Sequence, residues 1–312
     1  MTISRSIPRV APSVRRAVGA PIGAVHSNPA PPSPGRVFVR RILKSRTNVA
    51  CLIFLGLLAV VAVAAPWIAP YDPAYQKLAS AFLPLFSDNH LLGTDQLGRD
   101  TLSRLIYATQ ISLVAPLIAV GFAAVTGLPL GLLAGYLGGK FDWIAGRVAD
   151  ALIALPALVL ALAIIAIFGP GLTNAMLAVG AATAPRLFRV VRGAAMNVRE
   201  ETYIEASKVV GCSTSRTVLV HVLPNVRSPL LVQLTLMLSL ALLAEAGLSF
   251  LGLGVQPPTA SWGSMLRGAF DNRFQSPWMV VPPGLAIMLT ILSLNMLGDG
   301  IRDAVGQERR KA

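Results

Sequence analysis

Of the 312 residues, 54% are hydrophobic and only 13% charged, and the mean hydropathy is +0.65. That length would serve two ordinary soluble domains, but the composition is too apolar for them and calls for lipid. The charge is lopsided, 27 Lys and Arg against 14 Asp and Glu, a balance that raises nucleic acid or an anionic surface as a partner until the basic residues are located.

They gather first at the N-terminus. Residues 1–47 hold Arg5, Arg9, Arg15, Arg16, Arg36, Arg40, Arg41, Lys44 and Arg46 and not one acid, a basic tail ahead of the first apolar span. It reads as a cytoplasmic anchor of a membrane protein rather than a nucleic-acid arm. The first 35 residues, rich in Pro, Ser, Ala and Arg, are expected to be disordered; an organelle transit peptide carries the same signature. Arg36 to Arg46 (RVFVRRILKSR) alternates basic and apolar residues and fits either a short helix on the membrane surface or a solvated flank.

Crossing about 30 Å of hydrocarbon takes roughly 20 helical residues. Six apolar runs are read as spans: Asn48 to Trp67, Ile106 to Ala134, Val148 to Phe168, Leu172 to Val191, Pro229 to Leu253 and Met279 to Asp299. Gly169-Pro170-Gly171 reads as a tight turn joining the third and fourth. Gly127, Gly131 and Gly135, four apart, are predicted to let helices approach closely. With the N-terminus inside, only Lys77, Arg99, Arg104, Arg267 and Arg273 fall on the outer side, and six spans return the C-terminus to the cytoplasm. The expected organisation is a tail over 1–47, a first span with its outer loop over 48–105, a five-helix core over 106–301, and a cytoplasmic tail over 302–312. The fold class is all-α, a polytopic membrane bundle. Cys51 and Cys212 fall at cytoplasmic ends of segments, without disulfide or metal-ligand spacing.

The stretch 199–225 is the most informative. Glu200 to Val210 favours a short helix, Gly211 stops it, Ser213 or Thr214 can cap a second, and Pro224 is expected to end that one. Ile204, Val209, Val210, Val218, Leu219 and Val222 are apolar knobs too sparse for a core, which suits docking into another protein's groove; a plain connector on its own membrane domain is the competing reading.

This segment resembles the EAA loop of ABC importer permeases, in which Glu-Ala-Ala, three residues, Gly, nine residues and Ile-x-Leu-Pro lie between two spans. Glu205, Ala206, Gly211, Leu223 and Pro224 match with the spacing intact; Ser207 and His221 depart, and His-x-Leu-Pro-Asn is itself similar to peptide permeases. Three further stretches resemble the C-type subunit of dipeptide, oligopeptide and nickel importers: Leu92 to Asp100, Leu248 to Pro258 with Ser261-Trp262-Gly263, and Leu297 to Ala304. The resemblance covers Val37 to Ala304. It implies the type I ABC importer permease fold in a bacterial inner membrane and uptake of dipeptides or oligopeptides. The implied partners are a homologous B-type permease, two ATPase subunits or one fused ATPase, an extracytoplasmic solute-binding protein, and membrane lipid. It implies contact with the ATPases through Tyr203, Glu205, Ala206, Ser207, Gly211, Arg216, His221, Leu223 and Pro224. The binding protein is assigned Asp95, Gln96, Arg99, Asp100 and Trp262, although the Leu92 to Arg104 segment also reads as a structural plug at the mouth.

The residues independently call for a separate motor. No phosphate-cradling G-x-x-x-x-G-K-[ST] occurs, and Gly139-Lys140 is followed by Phe141, so ATP and Mg belong to partner subunits and this chain is expected to bear no cofactor, metal or catalytic residue. Glu245 is the carboxylate deepest within a span and should face protein or water; it is a candidate for the translocation path, with a structural role as the alternative. Asp150 and Asp299 lie at span ends, near Arg147 and Arg302. A membrane enzyme is disfavoured because His26, His90 and His221 all fall outside the spans. A secondary transporter remains the rival class, and nickel or another small solute the rival cargo.

Overall fold

The computed structural model of the chain describes residues 34–87 and 89–309; the disorder expected over residues 1–35 falls outside them but for two positions. The chain divides into Met1–Val37 and Phe38–Ala312, and the helical bundle lies in the second. Among the described residues the regular structure is helical, with only two isolated bridges, Ser87 to His90 and Thr94 to Asp100.

Helix α1 is Pro34–Lys44, so the basic and apolar alternation does fold as a helix. Ser45 breaks it from α2, Arg46–Ile68, by turning to extended backbone and accepting from the Asn48 N–H, the ordinary work of a serine N-cap. A long connection follows, broken only by a 3₁₀ turn at Leu78–Ser80. Asp100 then caps α3, Thr101–Leu137, which at 37 residues is about 55 Å long and outreaches the hydrocarbon core.

Helix α4 (Gly139–Ala154) and helix α5 (Ala157–Phe168) replace the continuous span expected over Val148 to Phe168. They meet at 92°. The cause is local: Pro156 forces the preceding Leu155 out of helical geometry, to φ −82 and ψ 136, by the clash of its ring with that residue's backbone. Gly169 (φ +86) and Gly171 (φ +148) make the anticipated turn into α6, Leu172–Arg199.

Helix α6 packs along α3 through the glycine series. A Cβ on Gly127 would lie 2.8 Å from the Ala184 carbonyl oxygen, one on Gly131 2.8 Å from that of Phe188, and one on Gly135 2.5 Å from that of Arg192. Hydrogen in place of a side chain brings the two backbones together at three successive turns, the close packing that small residues permit in membranes.

Helix α7 is Thr202–Val209. After the Gly211 turn, a short helix α8 (Thr214–Arg216) leads through a π-helical turn (Thr217–Val222) into α9, Leu223–Phe250. Pro224 therefore does not end the second helix, contrary to expectation. A proline clashes with the carbonyl four residues back in an α-helix; here the turn is widened, Leu223 N–H bonding the Val218 carbonyl, so the chain runs as one 37-residue helix from Thr214 to Phe250. Helix α10 (Trp262–Asp271) is followed by a 3₁₀ turn (Pro277–Val280) and α11, Val281–Arg309. The main core lies between α3, α6 and α9, built on small and medium residues such as Ala119, Ala123, Met176, Leu187 and Met237.

Among the described residues four helical stretches are long and apolar enough to cross a membrane, at Arg46–Ile68, Thr101–Leu137, Thr214–Phe250 and Pro277–Ala304, and α4 with α5 makes a fifth if the bent pair is one span. The sixth expected span is a helix, but Arg186 and Arg189 fall inside its Leu172 to Val191 run, so length and apolarity do not establish it.

Candidate coupling surface and mouth

The two ends of α3 separate the candidate residues. At its C-terminal end the Lys208 ammonium lies 5.5 Å over the Tyr136 ring, tying down α7. Toward its N-terminal end the backbone N–H of Trp262 donates to Ser112 Oγ at 3.0 Å, fixing α10. The loop assigned to the ATPases and the segment assigned to the binding protein thus occupy opposite ends of one long helix.

At the α7 end the chain makes a helix–turn–helix. Gly211 is left-handed, φ +86, with open space where a Cβ would stand, so it serves the turn and not a close contact. Cys212 N–H donates to the Ser207 carbonyl and Gly211 N–H to that of Lys208, both at 3.0 Å. The apolar knobs divide: Ile204, Val218 and Val222 are buried in the subunit's own core, whereas Val209 (88% exposed), Val210 and Leu219 stand clear. Only the second group is open to another protein, and Val220 and Tyr203 join it. Glu205, Ala206, Gly211 and Arg216 are exposed, and Ser207, His221, Leu223 and Pro224 half-buried. Burial, with Glu201 beside it, pushes the Tyr203 phenol up. One residue outside the expected set braces the pair: Asn225 Nδ2 donates to Tyr203 Oη at 3.0 Å and to the His221 carbonyl at 2.7 Å. Its signal was the Asn directly after Leu-Pro, visible in sequence but without an assigned partner.

Beside this end, Arg189 donates to Asp150 at 2.5 Å and Arg192 pairs with Asp142, joining α6 to α4. Asp150 is thereby paired from α6 rather than by Arg147, with its half-exposed carboxylate also open to hydration. Asp299 lines a recess of about 500 Å³ with Arg41, Lys44 and Asn48.

At the other end, four of the five residues assigned to the binding protein are buried in the subunit itself: Asp95, Arg99, Asp100 and Trp262. Charges satisfy one another there. Asp95 accepts from Arg99 Nε at 2.6 Å and from the backbone N–H of Leu97 and Arg99. Asp100 accepts from the Ser103 N–H and hydroxyl, both at 2.7 Å, and lies 2.9 Å from His90 Nδ1. Gln96 alone is half-buried and within reach of a partner. Glu245 is completely buried within the subunit. Its Oε1 accepts from Ser249 Oγ at 2.7 Å, while Oε2 has no hydrogen-bond partner among the described residues. It lies under the start of α10, where a Cβ on Gly263 would come within 2.6 Å of the Ala246 backbone.

A bundle of apolar membrane-length helices, with a helical hairpin that exposes Val209, Val210 and Leu219 at one end and a capped surface helix at the other, is the architecture of an integral-membrane subunit. The sequence matches the family "Binding-protein-dependent transport system inner membrane component" over residues 127–311 and the "N-terminal TM domain of oligopeptide transport permease C" over residues 33–85. The chain belongs to this family, the multi-pass inner-membrane permease subunits of ABC importers. It is 41% identical over 93% of its length to the di/tripeptide transport system permease protein DppC of Pseudomonas aeruginosa, all of which is covered. It is also 41% identical, over 88% of its length and 90% of the relative's, to the glutathione transport system permease protein GsiD of Escherichia coli O1:K1 / APEC. The fold is shared with the methionine ABC transporter MetNI in an inward-facing conformation, at a TM-score of 0.54 and 20% identity, over 65% of this chain and 96% of that one.

Proposed function

We propose that this subunit is the C-type half of a heterodimeric permease that imports short peptides, with α7 and α8 as the contact through which partner ATPases drive it. The observation that carries the coupling role is the exposed apolar set Val209, Val210 and Leu219 on a hairpin whose other face, Ile204, Val218 and Val222, is fixed in the core. Such a surface is sparse in apolar area yet rigidly held, which favours docking in a groove. Peptide cargo is supported by the di/tripeptide and glutathione permeases among the relatives. ATP and Mg are used by the partners, and a solute-binding protein presents cargo at the α10 end.

In this reading both termini are cytoplasmic and α6 supplies the sixth crossing, since five would put them on opposite sides. Its arginines, from Arg186 on, then lie at the cytoplasmic headgroups, where Asp150 and Asp142 meet two of them. The test is reconstitution with the cognate B-type permease, ATPases and binding protein in vesicles. ATP-dependent accumulation of a labelled dipeptide is expected; uptake that persists without the ATPases would sink the reading.

A further inference from the structure

Where the end of α1, the start of α2 and the end of α11 meet lies the recess of about 500 Å³, a volume within the range of small-molecule sites. Its charges are sorted by sign. Arg41 and Lys44, one turn apart on α1, form one wall, and Asp299 and Asp303, one turn apart on α11, form the other. The Arg41 guanidinium is held at the rim by donating to the Ala304 carbonyl at 3.0 Å. Lys44, Asp299 and Asp303 form no salt bridge among the described residues. Two carboxylates one turn apart repel unless a cation lies between them.

Asn48, which also lines the recess, gives a second, independent sign. It is 7% exposed, and its side-chain amide has no hydrogen bond among the described residues, the bond to Ser45 Oγ coming from its backbone N–H. The amide lies against Gly300, where a Cβ would come within 2.2 Å of Nδ2 and 2.5 Å of Oδ1, so the glycine leaves it room beside the acids. A buried amide without a partner is costly and calls for a ligand or water.

The recess sits where two membrane-length stretches end, at the start of Arg46–Ile68 and the end of Pro277–Ala304, which is the depth of lipid headgroups. Val39 and Leu43, one turn apart on α1, are exposed, as in a helix lying along that boundary. From Met296 in the recess wall, Leu292 and Leu289 continue along the same face of α11, and all three are exposed. We propose that the recess binds the headgroup of an aminophospholipid of the ethanolamine type, its phosphate on Arg41 and Lys44, its ammonium on Asp299 and Asp303, the Asn48 amide between them and an acyl chain along Met296, Leu292 and Leu289. A primary ammonium has three N–H donors for the two carboxylates and the Asn48 oxygen; a choline headgroup has none, and an anionic headgroup without an ammonium leaves the acids unpaired. Bound there, the lipid pins the break at Ser45 between α1 and α2 to the end of α11. The site depends on these residues and not on the cargo or direction of transport, so it stands or falls separately from the peptide-import reading.

The experiment is hydrogen exchange of residues 41–48 in the assembled transporter, in phosphatidylcholine nanodiscs with and without phosphatidylethanolamine, two lipids of equal net charge. Exchange about tenfold slower is expected with phosphatidylethanolamine at about ten times its Kd. Asp299→Asn combined with Asp303→Asn should abolish the difference and Lys44→Gln should lower it, all three being exposed positions where the fold tolerates exchange. In the doubly neutralised variant phosphatidylglycerol should slow exchange instead, since only the basic wall remains. Glycerophosphoethanolamine added to phosphatidylcholine nanodiscs should have no effect, for it lacks the acyl chain. Equal exchange in the two lipids for the wild type would overturn the proposal. So would slowing that persists undiminished in the variants, which marks a property of the bilayer, or slowing by the free headgroup, which marks a soluble ligand.

Discussion

Asn225 donates to the Tyr203 hydroxyl at 3.0 Å across 22 positions of sequence, and this bond ties α7 to the start of α9 across the proposed coupling hairpin. Tyr203→Phe is expected to release it at a cost of about 0.5–1.5 kcal/mol. ATP hydrolysis per peptide transported should rise while the subunit still assembles, which paired ATPase and uptake measurements would reveal. An unchanged ratio would show that the arms are held by packing alone.

Partial burial and the neighbouring Glu201 give the Tyr203 hydroxyl a pH expectation of its own. Because the Tyr203 phenol is pushed up in the folded protein, its contribution is intact below the unfolded value of about 10 and is lost only as pH rises through the folded one. Coupling through this pair should be flat from neutral pH to mildly alkaline pH. A midpoint near neutrality in the wild type that disappears in Tyr203→Phe would contradict it.

Gly211 tests the turn without steric ambiguity, since nothing stands within 4 Å of a would-be Cβ. The cost of Gly211→Val is then backbone alone, about 1–2 kcal/mol for a positive φ, and Gly211→Asn should be milder. Insertion and pairing with the B-type partner are expected to survive in Gly211→Val while pull-down of the ATPases weakens. Glu205→Lys, a charge reversal on the exposed face, should do the same. Full ATPase binding by both would reduce the hairpin to a connector.

Gly131 and Gly121 offer a matched pair on α3. A side chain on Gly131 would collide with the Phe188 carbonyl and Val191, whereas Gly121 has open space. Gly131→Ala is expected to destabilise by about 1–3 kcal/mol, the range for overpacking, and Gly121→Ala to be neutral. Thermal unfolding of the purified complex would rank them.

Sidedness can be read from Phe274 (84% exposed) and Val209 (88% exposed), better probes than the buried Trp262. In a background lacking Cys51 and Cys212, Phe274→Cys should react with an impermeant thiol reagent in intact cells and Val209→Cys should not. The reverse pattern would invert the proposed topology.

The apolar runs of α2, α3, α9 and α11 were legible because lipid-length hydrophobicity has few other causes. The α7 turn was legible through the Gly211 stop signal, which the structure shows at φ +86. Two prolines were misread for opposite reasons: Pro156 broke an apolar run that looked continuous, while Pro224 was accommodated by a π turn that sequence gives no means to foresee. Charge was the other blind spot. Asp95, Arg99 and Asp100 look like surface residues one by one; only the fold shows that they are buried as a network, and only the fold sets Arg189 on α6 against Asp150 on α4. Glu245 was foreseen as needing protein or water, but the lid of α10 over it is a long-range contact.

The π turn at Thr217–Val222 gives the unbroken Thr214–Phe250 helix a mechanical meaning. Above it, α9 is a strut of 28 residues, about 42 Å long, whose far end lies against α10 through Ala246 and Gly263. A rotation of about 5° at the widened turn, where the hydrogen-bond ladder is already loosened, would carry Phe250 about 4 Å sideways over that length. If the hairpin of α7 and α8 takes up the stroke of the ATPases as proposed, α9 would act as a long lever on a short fulcrum, a small displacement at that end becoming a larger one at the α10 end.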